Sequence, residues 1–143
     1  MSEELGINEI KTIIPHRFPM LLIDRVFSLK AGQEAKAVHN VSLGESFVQA
    51  SSSKNPVFPS ILIVEAMAQT GAIALLSEEK FAGKTAYFGG IKEADFTGQA
   101  RPGDQIILMS KLTKIRRNIG VGVGEAWVKD KKIAQAELTF MIG

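Results

Sequence analysis

The sequence predicts an α+β fold in which one long buried helix is wrapped by a curved, mostly antiparallel sheet. From Pro59 to about Ser77 the apolar residues are spread around the whole helical wheel, which is typical of a helix buried on all sides. After a break at Gly83, the chain has only strand-like segments. One such helix and about five strands can bury each other only if the sheet curls around the helix.

The length of 143 residues predicts a single domain, residues 1–143, that is large enough to form its own core. A single sheet around one helix leaves a sheet edge open. Antiparallel edges are commonly protected by pairing with another copy of the chain. We therefore expect a dimer.

The first part of the chain predicts a short helix followed by two strands. Apolar residues at helical spacing predict a helix over Ile7–Ile14, and Pro15 ends it. Met20–Leu29 and Glu34–Val41 then have the pattern of strands. Ser42–Asn55 is polar, and we expect it to be irregular.

The long helix is expected to begin after Pro59, since proline is favoured at helix starts, and to end near Ser77–Lys80. Asp130 and Lys131 are expected to form the tight connection of the last hairpin. The predicted strands after the helix are Thr85–Ile91, Gln105–Ile115, Gly120–Lys129 and Lys131–Met141.

The charge balance gives little support for a nucleic-acid partner. Lysine and arginine number 17 against 15 acidic residues, a formal net charge of +2. Outside the clusters Lys111–Arg117 and Lys129–Lys132 the basic residues are scattered, so we expect solvated faces and no nucleic acid. A negatively charged carrier protein stays open as a partner.

The absence of cysteine excludes disulfides, thiolate nucleophiles and the usual structural zinc sites. The segment Met1–Pro15 is acidic and lacks the basic start and apolar core of a secretory signal, and Glu65 and Gln69 interrupt the apolar run near Ile61. We expect a soluble cytoplasmic protein with no metal and no membrane partner.

Glu65 is the first candidate for chemistry. It is the only charged residue between Pro56 and Ser77, in a run that must lie inside the fold. Burying an ionised carboxylate costs several kcal/mol unless it finds a partner. A chain seldom keeps such a residue without a use.

Four segments of the chain form a recognisable set: PHRFPMLLIDRV at Pro15–Val26, NPVFPSILIVEAMAQ at Asn55–Gln69, FGGIKEADF at Phe88–Phe96 and RPGDQI at Arg101–Ile106. In their order and spacing they resemble the FabZ type of (3R)-hydroxyacyl carrier protein dehydratase. The resemblance covers almost the whole chain and implies a hot-dog fold, a double hot-dog homodimer with active sites at its interface, and often a trimer of dimers.

The resemblance also implies a hydro-lyase of fatty acid biosynthesis that needs no cofactor. The family removes water from a 3-hydroxyacyl chain on acyl carrier protein and gives the trans-2-enoyl product. A histidine of one subunit takes the α proton, and a glutamate on the central helix of the other subunit protonates the departing hydroxyl. Glu65 occupies the position of that glutamate, and Gln69 resembles the family glutamine expected to bond near the active site.

The chemistry explains why two groups are needed. An α C–H beside a thioester is a weak acid, so a base must face it while donors stabilise the enolate oxygen. Hydroxide is a poor leaving group, and a protonated carboxyl group in an apolar pocket can supply the second proton.

The catalytic histidine of the family pattern FFQGHFPGNPVMPG is replaced by Ser51. Gln49, Asn55, Pro56 and Pro59 hold the register on both sides, and Ser51 precedes Glu65 by fourteen residues as the family histidine does. A serine hydroxyl is too weak a base near neutral pH and needs a partner base to act as a nucleophile.

Two further changes touch the same site. Ser60 replaces a glycine whose backbone N–H is the oxyanion donor implied by the resemblance, and serine keeps that N–H. Ser52, Ser53 and Lys54 replace Phe-Pro-Gly, which predicts a polar, mobile loop.

The chain has two histidines, and neither is an obvious substitute base. His16 lies in the PHR segment, which family members have beside their catalytic histidine, so the resemblance implies a structural role in which its side chain bonds the backbone near the helix. For His39, in a predicted strand, we expect a solvated or cross-strand role.

Several functions fit this pattern. The first is a FabZ-like dehydratase whose activity is much reduced. The second is a noncatalytic acyl-binding or heteromeric partner that supplies Glu65 to a histidine-bearing FabZ-like paralogue. The third is a hot-dog acyl thioesterase in which the helix carboxylate activates water. A dehydratase altered by design at Ser51–Lys54 would give the same sequence. Glu65 could instead contribute only to packing, bonded to Ser51, Gln69 or water.

Overall fold

A computed structural model describes residues 3–52 and 54–143. These residues form seven strands and three α-helices, with one turn of 3₁₀-helix at Glu79–Phe81. The elements are β1 (Glu3–Leu5), α1 (Ile7–Ile13), β2 (Arg25–Lys30), β3 (Glu34–Asn40), α2 (Ser46–Ser51), α3 (Ser60–Leu76), β4 (Ala86–Phe96), β5 (Gln105–Arg116), β6 (Ile119–Val128) and β7 (Lys131–Ile142).

All seven strands belong to one antiparallel sheet in the order β1-β2-β3-β5-β6-β7-β4. In its middle, Leu108 of β5 pairs with Ala37 of β3 on one side and Ala126 of β6 on the other. Helix α3 packs against β3, β4, β5, β6 and β7, so the sheet curves around it. The predicted α+β class and the helix wrapped by an antiparallel sheet are confirmed.

Helix α3 is buried because its side chains are apolar and the sheet lies very close to it. From Ile63 to Leu76 every residue except Glu65 is buried. A Cβ added at Gly71 of the helix would lie 2.8 Å from Cζ of Phe140, and one added at Gly124 of β6 would lie 2.8 Å from Sδ of Met67. These two glycines permit the close helix-to-sheet contact. No helix in the described ranges is long and apolar enough to cross a bilayer.

The beginning of β2 differs from the prediction. The strand begins at Arg25 rather than Met20 because side chains bind the backbone before it: Leu22 donates its N–H to Gln69 and accepts at its carbonyl from His39. Strand β1, which pairs with β2, was not predicted from the sequence.

The segment Ser42–Asn55 was predicted to be irregular, but it contains α2. Glu45 stands just before this helix, and its carboxylate accepts the N–H of Ser42 at 3.0 Å. The prediction was wrong because Ser51 ends the helix and Ser52 follows it, so neither disrupts it. Ser53 lies outside the described residues.

The last hairpin also differs in detail. Lys131 pairs with Val128, so the tight turn consists of Lys129 and Asp130 rather than Asp130 and Lys131. Lys129 adopts a φ of 55°, the left-handed conformation that two-residue hairpin turns use. Strand β4 is longer than predicted and pairs with β7 from Ala86 to Phe96.

Candidate active site

Glu65 lies on the only face of α3 that this chain's own sheet leaves partly open among the described residues. One turn earlier on the same face, Ile61 is 66% exposed. The Glu65 side chain itself is 27% exposed. The helix is buried as predicted, but its carboxylate borders a small cavity rather than lying in the core.

Gln69 holds the Glu65 carboxylate from one helical turn further along α3. Its Nε2 donates to Oε2 of Glu65 at 2.9 Å and to the carbonyl of Met20 at 2.7 Å. Its Oε1 accepts the N–H of Leu22 at 2.9 Å. Buried Gln69 therefore fixes the carboxylate and ties the segment before β2 to the helix. Of the partners expected for Glu65, Gln69 forms a hydrogen bond with it in the structure and Ser51 does not.

His16 is the second titratable side chain at this position. Its Nε2 lies 3.6 Å from Oε2 of Glu65. Its Nδ1 is buried and has no hydrogen-bond partner among the described residues. The expectation that this side chain bonds the backbone is therefore wrong: the ring faces the glutamate instead.

The cavity between these groups is small, about 50 Å³. It has room for a few water-sized groups but not for a long acyl chain. A carboxyl group and an imidazole in one pocket with partly apolar walls can move a proton to and from a small bound group. The lining residues are His16, Glu65, Ala68, Gln69, Ala86, Phe88 and Phe140.

Ser51 lies at the end of α2 and does not meet Glu65 within one chain. Its hydroxyl donates to the carbonyl of Val48 at 2.7 Å and accepts the N–H of Val57 at 2.9 Å. It borders a separate, open apolar groove of about 360 Å³. The groove is lined by Phe47, Ala50, Ser51, Pro59, Ile61 and Leu62.

Ser60 is the first residue of α3 and is exposed. At the first position of a helix the backbone N–H has no intrahelical acceptor and lies at the positive end of the helix dipole. It precedes Glu65 by five residues, or about 7.5 Å along the axis. In the loop before it, the Ser52 hydroxyl accepts from the N–H groups of Lys54 and Asn55 at 3.3 and 3.2 Å.

His39 is buried, only 4% exposed, so the expectation of a solvated role is wrong. Its Nδ1 lies 2.7 Å from the carbonyl of Leu22, and its Nε2 lies 3.1 Å from both carboxylate oxygens of Glu45. The ring also packs 4.5 Å from that of Phe58. His39 joins β3 to the start of α2.

The sequence did not identify His16, Phe88 and Phe140 as members of this cavity. His16 precedes Met20 by four residues, and the bonds from Gln69 to Met20 and Leu22 carry this segment past Glu65. The hydrogen bonds of Gln69 to the segment before β2 would have predicted this placement, but they join residues far apart in the sequence. Phe88 and Phe140 stack 6.2 Å apart on the paired strands β4 and β7.

The sequence and the fold are similar to those of known proteins. The family model described as "FabA-like domain" matches residues 14–137. The 3-hydroxyacyl-[acyl-carrier-protein] dehydratase FabZ of Ligilactobacillus salivarius is 58% identical over 139 residues, which is 97% of this chain and 99% of the relative. The FabZ of Enterococcus faecalis is 49% identical over 140 residues, 98% of this chain and 99% of the relative.

Among solved structures, the dehydratase heterocomplex ApeI:P from Xenorhabdus doucetiae matches with a TM-score of 0.81, covering 94% of this chain and 90% of that chain. Its sequence identity is 17%, so this match supports the hot-dog fold alone. The family model spans most of the chain, and the FabZ relatives match its full length. The chain therefore belongs to the FabA-like family, in its FabZ-type 3-hydroxyacyl-[acyl-carrier-protein] dehydratase branch.

Proposed function

We propose that this chain is a FabZ-type dehydratase of fatty acid biosynthesis that converts a 3-hydroxyacyl chain on acyl carrier protein into the trans-2-enoyl chain. Identities of 46–58% to FabZ relatives over nearly the full chain support the reaction class. The observation that carries the proposal is the Glu65 carboxyl group, which Gln69 holds at a cavity of water size.

Glu65 is the acid of the proposed reaction. In its protonated form the carboxyl group donates to the departing hydroxyl, which leaves as water, and the cavity is large enough for that small group. Gln69 is the positioning residue that fixes Oε2 of the carboxyl group. The N–H of Ser60 at the start of α3 is the proposed donor to the thioester oxygen, where negative charge develops.

The proposed activity is much lower than that of an enzyme with histidine at position 51. Removal of a general base typically costs about 10²- to 10⁴-fold in rate. Both sides of the Ser51 hydroxyl are bonded to the backbone, which supports a structural role for that residue. The acyl chain would lie along the apolar groove beside Ser51.

We also propose that the chain forms a homodimer through β4. This strand lies at the end of the sheet, pairs with β7 alone among the described strands, and is exposed at every residue after Ala86. It carries large exposed apolar residues, Tyr87, Phe88, Ile91 and Phe96. A long, apolar, unpaired edge is the kind of surface that a second copy covers. Assembly of three dimers rests on the family resemblance.

The proposed docking surface for acyl carrier protein is the tip of the β5–β6 hairpin, formed by Lys114, Arg116 and Arg117. None of these cations has an ion-pair partner among the described residues. They border an open cleft of about 580 Å³ with Asn118, Ile119 and Val121. Unpaired cations around a cleft suit an acidic partner.

A heteromeric role is the second candidate, and one observation favours it. The half of the site that contains Glu65 and Gln69 is fully formed, whereas position 51 lacks a base and lies in another groove. A FabZ-like paralogue with histidine at that position would complete the site across an interface. In that case the chain is inactive alone and active when the two are mixed.

The test is to incubate the purified protein with 3-hydroxybutyryl acyl carrier protein and follow enoyl thioester and free thiol together. We expect slow enoyl formation that persists in Glu79→Gln, an exposed control, and is lost in Glu65→Gln. Glu65-dependent release of free thiol would overturn the proposal in favour of a thioesterase. No turnover by the protein alone, with turnover on mixing with a paralogue, would favour the heteromeric role.

A further inference from the structure

We propose that His16 is the general base of this chain and that His16 and Glu65 form a base and acid pair within one subunit. The inference rests on the proposed dehydratase function and names the group that removes the α proton where position 51 is serine.

His16 is the candidate base that remains after the others are considered. The chain has two histidines and no cysteine. His39 is buried, and both of its ring nitrogens face protein acceptors, the Leu22 carbonyl and the Glu45 carboxylate. Ser51 is a weak base whose hydroxyl is already bonded on both sides to backbone groups. Neither group can accept a proton from a substrate without breaking these contacts.

The geometry of His16 supports this role directly. Its side chain is 29% exposed and makes no hydrogen bond to the described residues, so its ring nitrogens are not occupied by a structural hydrogen bond. Nε2 lies 3.6 Å from Oε2 of Glu65, longer than a hydrogen bond but within ion-pair distance. Both side chains line the same cavity of about 50 Å³. A small group bound there meets both at once.

His16 and Glu65 together account for both proton transfers of the dehydration. The lone pair of neutral His16 Nε2 takes the α proton, and the electrons of the broken C–H bond form the new carbon–carbon double bond. The bond from the β carbon to oxygen breaks, and the acid form of Glu65 gives its proton to that oxygen, which leaves as water. Imidazolium and carboxylate then face each other, and transfer of the proton from Nε2–H to Glu65 restores the starting pair.

Gln69 determines which groups can meet. It binds the backbone of Met20 and Leu22 and the carboxylate of Glu65 with one side chain. The segment that carries His16 is therefore fixed to the helix that carries Glu65. Base and acid come from the same chain, whereas the family resemblance implies groups from two subunits.

The experiment compares four proteins as 3-hydroxybutyryl acyl carrier protein dehydratases: the native chain, His16→Gln, Ser51→His, and the double variant Ser51→His/His16→Gln. Circular dichroism and the unfolding midpoint establish that each variant is folded. We expect His16→Gln to lower native turnover by 10²-fold or more. In the Ser51→His background, where a second base is present, we expect the same change to cost less than about tenfold, since the two changes are then not additive.

The outcomes distinguish failure of the His16 proposal from failure of the proposed dehydratase function. Loss of native turnover in His16→Gln with little loss in the double variant supports His16 as the base. An equal loss in both backgrounds overturns it and makes His16 a positioning residue for Glu65. Turnover by Ser51→His with none by the native chain also overturns it, while the proposed dehydratase function stands. Absence of turnover in all four proteins contradicts the proposed function itself.

Discussion

Nε2 of Gln69 donates a 2.9 Å hydrogen bond to Oε2 of Glu65, one turn earlier on the same helix. The same amide binds the backbone of Met20 and Leu22, 49 and 47 residues away along the chain. One buried side chain thus orients the proposed acid and anchors the segment that carries His16. The site depends on Gln69 for geometry as well as for stability.

Replacing Gln69 by alanine is expected to destabilise the protein and reduce turnover together. The change leaves the buried N–H of Leu22 without its partner, which costs about 1–3 kcal/mol of unfolding free energy. Gln135→Ala is the control, because that exposed side chain has one hydrogen bond, to Lys132, and should cost less than about 0.5 kcal/mol. Urea denaturation gives both values. Equal stability of the two variants would contradict the anchoring role of Gln69.

His39→Ala is expected to lower the unfolding free energy by about 2–3 kcal/mol, because it removes a buried hydrogen bond to Leu22, a partly buried one to Glu45 and a packed ring. His16→Gln is the matched control, since the His16 side chain makes no hydrogen bond to the described residues. The urea midpoint of the control should stay close to that of the native protein. Comparable losses of unfolding free energy in the two variants would contradict a specific stabilising role for the buried His39.

Ile91→Glu is expected to disrupt the proposed homodimer. A charge on the exposed edge of β4 opposes the pairing of a second apolar edge. Ile7→Glu on α1 is the matched control, because the two isoleucines are 43% and 40% exposed. Light scattering after size exclusion should give the single-chain mass of 15.5 kDa for Ile91→Glu and twice that for the control. A dimer that survives in Ile91→Glu places the interface elsewhere.

Arg116→Glu is expected to weaken binding of acyl carrier protein several-fold at low salt, with the difference shrinking as ionic strength rises. Lys84→Glu is an equal charge change at an exposed position outside the hairpin and should have a smaller effect. Fluorescence anisotropy of a labelled carrier protein at two salt concentrations measures both. Identical losses in the two variants would indicate a response to net charge and argue against docking at the hairpin.

The fold was largely predictable because its strongest signals are local. The apolar run after Pro59 predicted the start of α3 correctly and its end one to four residues too late, and β5, β6 and β7 were each predicted to within about two residues. The start of β2 differs because side chains bind the backbone before it. Leu22 bonds to Gln69 and His39, and these contacts delay the start of β2.

The site was predicted in part. Glu65 and Gln69 lie together as the helical spacing of four residues requires. His16 could not be placed, because its proximity to Glu65 depends on contacts between residues nearly fifty positions apart. The sequence also did not show that His39 is buried against Glu45 and Phe58, because these contacts depend on how β3 packs against the start of α2 and the segment before α3.

The most direct test of the account is the dehydration rate of 3-hydroxybutyryl acyl carrier protein by Ser51→His, with Ser51→Ala as the control for loss of the Ser51 hydrogen bonds. We expect Ser51→His to gain about 10²-fold or more over the native chain, Glu65→Gln to abolish the gain, and Ser51→Ala to stay at the native rate. A folded Ser51→His protein no faster than the native chain would contradict the claim that the low rate of this dehydratase site comes from the loss of the histidine at position 51.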